Sequence, residues 1–388
     1  MKKEKKKLSW QKLLAVVFPL LLGAACGVVI VAFLLPELGE GMSFGEYLFQ
    51  FALLLAGMYL VMFLHIIVHE SGHLVFGLLT GYRFSSFRIG SFMLVKERGQ
   101  LRFKRMSLAG TGGQCLLCPP ELQDGKIPYV LYNLGGSLMN LVLSLLCLLL
   151  YLLWHGVPYL SPLLLMSTVI GVFFALFNGI PLRMNGVDND GRNALSLGKD
   201  AEALRAFWVQ MKINEQIARG IRPKDMPEEW FAIPTEKGMQ NGITSALAVF
   251  RCNRLVDEQR FDEADALMAE ILNGKNAVLG LYKNMLRCDR IYCELIGENR
   301  TEVLNSLLTR EQKKFMKAMK NFPSVLRTQY AYALLAERDE KKAGKYKTLF
   351  EKAVCCHPYQ ADIESERELI KIAEEKAEKC HSQPSVDK

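Results

Sequence analysis

Four stretches of the chain are almost wholly apolar, and the rest is not. Residues 13 to 35, "LLAVVFPLLLGAACGVVIVAFLL", hold 23 consecutive positions without a charge, and about 20 such residues suffice to cross a hydrocarbon core as a helix. Comparable stretches run over 47–79, 129–154 and 159–180. From about Arg192 the pattern changes to charged, Ala- and Leu-rich sequence with helical periodicity, as in "RFDEADALMAEIL" and "KYKTLFEKAVCCHP". The pattern predicts an all-α membrane protein. It comprises a basic segment 1–12, about four transmembrane helices within 13–191, an all-helical domain over 192–380 and a disordered tail over 381–388.

Charge sets the expected orientation, because Lys and Arg concentrate in cytoplasmic loops. Lys2, Lys3, Lys5, Lys6, Lys7 and Lys12 precede the first span, whereas the loop after it, "PELGEGMSFGE", carries only acids. Arg83, Arg88, Lys96, Arg98, Arg102, Lys104, Arg105 and Lys126 follow the second span, and Arg183, Arg192 and Lys199 follow the fourth. Both termini are therefore expected in the cytoplasm. A cleaved secretory signal fits less well, since the apolar run continues past Cys26 and Gly23 stands where a lipoprotein signal prefers leucine. The net charge of +8 follows from topology, and no basic run interleaved with aromatics points to nucleic acid.

The ten cysteines do not suggest a disulfide framework, since most fall in the part expected inside the cell, where thiols stay reduced. Cys115 and Cys118 in "GGQCLLCPP" have the spacing of a metal or redox pair but lack a second pair. They read better as small apolar side chains.

The second span contains "FLHIIVHESGHLVFG". Residues four apart share a helix face, so His69 and His73 of "HESGH" can hold one metal ion, with Glu70 beside it to take a proton from water. Ionisable groups inside a span are costly and mark function more often than chance. His65 lies on the same face one turn earlier. Three ligands in line would not surround a metal, so it reads as a packed, hydrogen-bonded histidine. Catalytic zinc usually has three protein ligands. "FNGIPLRMNGVDNDGRNA", residues 177 to 194, offers Asp188 and Asp190 on a Gly-rich turn for the third.

With HExxH in one span and Asn178, Pro181 and an Asp-Gly step after a later one, the chain resembles the site-2 protease family of intramembrane zinc metalloproteases over roughly residues 45 to 195. The resemblance implies one catalytic zinc ion held by His69, His73 and Asp190, with Glu70 as catalytic glutamate. It also implies that Asn140 of "YNLGGSLMNLVLSL" lies near the substrate carbonyl. Helix packing through Gly135, Gly136 and Ser137 is the plainer account of that segment. Asn178 lies further ahead of the Asp-Gly step than is common in the family, and Asp188 is a rival ligand. Gly191 after Asp190 favours Asp190, as a flexible turn.

The loop from Thr80 to Pro128 alternates in "SFMLVKERGQLRFKRMSL" as a β-hairpin would, with Gly99 and Gln100 at the turn. In the family such strands lie beside the active site; an ordinary cytoplasmic hairpin is the alternative. In the C-terminal part Phe350, Ala353 and Pro358 have a spacing found late in a tetratricopeptide unit, without a regular 34-residue register. That domain is expected either to dock a protein partner or only to stabilise the enzyme. His357 and His381 read as exposed helix residues.

The expected function is an intramembrane zinc endopeptidase, multi-pass in a bacterial cell membrane. It would cleave membrane-anchored proteins or peptides within or next to their transmembrane segments. Two alternatives remain: a catalytically idle membrane scaffold presenting the C-terminal helices, and a membrane peptidase for short signal or bacteriocin-like peptides.

Overall fold

Backbone groups in lipid have no water to bond, so an apolar run satisfies them by coiling. In the computed structural model, which describes residues 10–38, 43–97, 99–106, 112–184 and 186–382, helices cover all four apolar stretches. They are α1 (Trp10–Leu38), α2 (Phe44–Leu79), α3 (Val130–Leu153) and α4 (Leu160–Gly179). Among the described residues α2, α3 and α4 are long and apolar enough to cross a membrane; the apolar piece found in α1 is Leu20–Ala32. α2 begins earlier than expected. The Ser43 hydroxyl accepts from the Glu46 N–H while the Glu46 carboxylate accepts from the Ser43 N–H, and this reciprocal cap starts the helix at Phe44.

The chain separates into two compact units, one within 1–90 and 109–201, the other within 91–108 and 202–388. In the first, the usual sidedness is inverted. Phe49, Leu53, Leu60 and Phe63 of α2 and Leu145, Leu149 and Leu152 of α3 are exposed, while His65, Asn140, Ser144 and Ser167 are buried. Outward apolar and inward polar groups are what a lipid solvent selects. Cys26, Leu54, Met166 and Ile170 form a small apolar cluster among α1, α2 and α4. The α2–α3 contact is closer. A Cβ at Gly72 would strike the Gly135 carbonyl, and one at Gly136 would strike the His69 ring. The glycines thus let the histidine-bearing face of α2 lie directly on α3.

Between α2 and α3 the chain forms β1 (Arg83–Ile89), β2 (Phe92–Glu97), β3 (Gln100–Arg105) and β4 (Gly113–Cys118). β1 and β4, which the sequence pattern did not announce, pair antiparallel from Arg83 opposite Cys118 to Ile89 opposite Gly113. β2 and β3 make the expected hairpin, with a shifted turn. Gln100 is already paired with Glu97, and Gly99 takes the left-handed backbone (φ 84°) that a tight turn needs. After α4 come β5 (Arg183–Met184), β6 (Val187–Asp188) and α5 (Asp190–Ser196).

The second unit is helical beyond the hairpin: α6 (Ala201–Ala218), α7 (Gly242–Asp257), α8 (Phe261–Asn273), α9 (Gly280–Ile296), α10 (Thr301–Leu307), α11 (Arg310–Ala318), α12 (Pro323–Ala331), α13 (Glu340–Cys356) and α14 (Gln360–Ser382). Here the sidedness is that of a protein in water. Leu255, Met268, Leu286, Ile291 and Leu369 share one apolar core, and consecutive helices α7, α8 and α9 pack on each other, as do α12 and α13. His357 is buried at the end of α13, its Nε2 3.1 Å from Asp362, rather than exposed.

Candidate active site

One helical turn separates His69 from His73, and α2 carries both towards α3. α5 brings Asp190 to the same place. The Asn189 side chain builds this approach. Its Oδ1 accepts from the backbone N–H groups of Leu182 (2.9 Å) and Arg192 (3.0 Å), and its Nδ2 donates to the carbonyls of Phe177 (2.8 Å) and Ile180 (2.7 Å). One residue thus caps α5 and ties it to the end of α4. Gly191 is needed for space rather than for a flexible turn, since a Cβ there would run into the carbonyls of Gly179 and Asn178.

The three side chains meet through three atoms. His69 Nε2 and His73 Nε2 are 3.2 Å apart, and Asp190 Oδ2 lies 3.2 Å from the first and 3.5 Å from the second. Among the described residues this is the group of metal-ligating side chains that converges. Tetrahedral zinc with bonds of about 2.0–2.1 Å has ligand-to-ligand edges of roughly 3.3–3.4 Å, so the triangle fits such an ion. Its chemistry fits as well. The ring of His73 donates Nδ1–H to the Tyr132 carbonyl at 2.7 Å, which leaves its Nε2 lone pair free to face the other two. Asp190 adds a carboxylate oxygen, an ordinary third ligand for zinc beside two imidazoles.

Asp188 goes elsewhere. Arg183 grips its carboxylate from two nitrogens, at 2.5 and 2.7 Å, and Arg192 adds a third contact at 2.9 Å. Glu70 is half-buried on α2, and its carboxylate lies against Gly113 of β4, where a Cβ would collide with it. Strand β4 therefore forms one wall beside Glu70. Asn140 is fully buried on α3, its amide between His65 Nδ1 (3.2 Å) and His69 Nδ1 (3.3 Å). Asn178 stays outside the cluster, donating to the Phe174 carbonyl. Cys115 and Cys118 lie buried on β4 as free thiols, and burial pushes the Cys115 thiol up to about 12.

Asn189 escaped the reading of the sequence, although a helix-capping residue directly before an acidic first turn was a visible signal. Tyr132 was unreadable, because it acts through its backbone carbonyl.

Comparison with curated proteins and with solved structures gives no match. The model of Peptidase family M50 matches residues 57–337, most of the chain and far beyond the region that carries the motifs. This match, over a membrane unit that gathers HExxH and a later aspartate, places the chain in peptidase family M50, the site-2 protease family.

Proposed function

We propose that this membrane peptidase is a zinc-dependent intramembrane endopeptidase that hydrolyses peptide bonds within or next to the transmembrane segments of membrane-anchored substrates. The observation that carries the reading is the triangle of His69 Nε2, His73 Nε2 and Asp190 Oδ2 with edges of 3.2–3.5 Å. One zinc ion held by these three would polarise the scissile carbonyl and make water acidic enough to activate near neutral pH. Glu70 would take the proton from the attacking water and pass it to the leaving nitrogen. His73 is kept in its ligating tautomer by the Tyr132 carbonyl. A helical substrate hides its carbonyls, so it must unwind locally, and β4 beside Glu70 offers backbone groups to a strand so exposed.

Charge distribution supports cytoplasmic termini and entry of water from that side. The consecutive packed helices of the second unit suit the docking of a protein partner, in the manner of tetratricopeptide hairpins.

The test is the zinc content of detergent-purified protein in three forms. Wild type and Asp188→Ala should hold about one zinc per chain, and Asp190→Ala should lose it. A wild type that takes up no zinc after reconstitution at neutral pH would overturn the reading. So would loss in Asp188→Ala with retention in Asp190→Ala. Zinc binding without any cleavage of membrane-anchored peptides would move the weight to an idle scaffold.

A further inference from the structure

A third imidazole is sealed inside the membrane unit and bonded at both nitrogens. His65 has no exposed surface; its Nδ1 is 3.2 Å from the side-chain oxygen of Asn140 and its Nε2 is 3.0 Å from Ser167 Oγ. Asn140, equally buried, directs its amide nitrogen to His69 Nδ1 at 3.3 Å. The His65 ring is held sterically as well, because Gly171 of α4 leaves just the space it occupies. Ser167 is anchored in turn by Cys147, at 3.2 Å. One line of contacts therefore runs across α4, α2 and α3, from Ser167 through His65 and Asn140, and ends on His69.

We infer that this line is a positioning chain: His65, held by Ser167, sets the Asn140 amide, and Asn140 holds the His69 ring with its Nε2 towards His73 and Asp190. The inference rests on the reading of those three as ligands. A neutral imidazole carries one proton, so a lone pair on His69 Nε2 requires a proton on Nδ1, and a buried N–H requires an acceptor. Asn140 Oδ1 is the acceptor within reach. In the structure the amide oxygen faces His65 and the nitrogen faces His69, and a half-turn exchanges the two at nearly the same spacing. With the oxygen on His69, the Asn140 N–H must donate in turn, and His65 Nδ1 receives it. His65 then carries its proton on Nε2 and donates to Ser167 Oγ, so every group in the line is satisfied. Opposite polarity would put a proton on His69 Nε2, where the ion must bind.

His65 suits this place because imidazole exchanges donor and acceptor between its nitrogens without moving. The resemblance placed Asn140 at the substrate carbonyl. Its burial between two imidazoles makes it a positioning residue that acts through His69.

The experiment measures zinc affinity of the full-length, detergent-solubilised protein by competition with a chromophoric chelator at neutral pH, alongside the thermal unfolding of each zinc-free variant. Loss of an outer partner of a ligating histidine weakens binding about 10- to 100-fold. That loss is expected for Asn140→Leu and His65→Leu. His65→Asn, whose side-chain oxygen can accept from Asn140, should recover most of the affinity even where its unfolding midpoint matches that of His65→Leu. Asn140→Asp supplies a variant that does not depend on apolar repacking. Its carboxylate accepts from His69 without needing His65, so in that background His65→Leu should cost no further affinity.

Zinc affinity within twofold of wild type in both leucine variants would overturn the chain. An equal fall in His65→Leu and His65→Asn, tracking their unfolding midpoints, would also overturn it. These results are distinct from failure of the ligand reading, in which wild type binds no zinc or Asp190→Ala binds it undiminished.

Discussion

The two units bury polar groups for opposite ends. In the helical unit Arg327 is almost wholly enclosed, but its guanidinium meets Asp289 at 2.6 Å and Glu366 at 2.9 Å and lies over the Tyr292 ring. Arg222 likewise meets Asp257 and Glu368. Each of these buried arginines faces two carboxylates from other elements, so the pairs hold helices together. In the membrane unit His69, His73 and Asp190 bring three ligand atoms within 3.5 Å of one another, an arrangement that suits a shared cation. Burial of a polar group is thus no pointer to function by itself; convergence of lone pairs is.

The comparison predicts that damage to the membrane site appears in chemistry and damage to the helical unit in stability. The largest effect is expected from Glu70→Gln. It should lower cleavage of a transmembrane peptide by about 10²–10⁴-fold while the zinc content stays at the wild-type level. Loss of zinc together with activity would mean that Glu70 belongs to the ion site, and the assignment of its role would fail.

In the other unit, Arg327→Met strands two carboxylates that now share one cation. Breaking a buried pair in this way destabilises by about 3–5 kcal/mol. Chemical unfolding followed at the helical unit should show the loss, with zinc content unchanged. A variant that unfolds normally would show that Asp289 and Glu366 find other partners or protons, and the contrast between the units would weaken.

Gly113→Ala comes next. The new methyl would press on the Glu70 carboxylate, and misplacement of a catalytic group by about 1 Å lowers rates on the order of 10²-fold. Turnover should fall with zinc retained. Normal turnover would mean that Glu70 moves aside freely and that β4 plays no part in aiming it.

What the sequence disclosed divides along the same line. HExxH and the apolar stretches were readable because each is a local repeat, of one helical turn or of one unbroken run. β1 was not, because its inward positions carry Ser85, Ser86 and Arg88, and the pairing slips between Phe84 and Ser86. A strand whose buried side is polar shows no apolar alternation. In the helical unit the amphipathic pattern gave helices but no family signal, since such a pattern is shared by any packed helix; yet the family match runs to residue 337. In the sequence, Asp190 was preferred to Asp188 by resemblance and by the glycine after it, whereas the distinction in space comes from Arg183 and Arg192, which occupy Asp188.

The smallest expected effect tests whether the contrast belongs to regions or to jobs. Asn189 caps α5 in the membrane unit, and Asn241 caps α7 in the helical unit by accepting from the backbone N–H groups of Ile243 and Thr244. Replacing such a cap by alanine costs about 0.5–2 kcal/mol wherever it stands. Asn241→Ala should therefore lower the unfolding midpoint and leave zinc binding alone. Asn189→Ala should lower stability by a similar amount, but it also frees the start of α5 from the carbonyls of Phe177 and Ile180, and Asp190 is the next residue. Part of the energy that once fixed the helix end would then be drawn from the ion, so zinc affinity should fall several-fold, by the roughly tenfold per 1.4 kcal/mol that linkage sets as its limit. Equal zinc affinity in the two variants would show that Asp190 reaches the histidines without the cap. The ion site would then be organised by α2 and α3 alone.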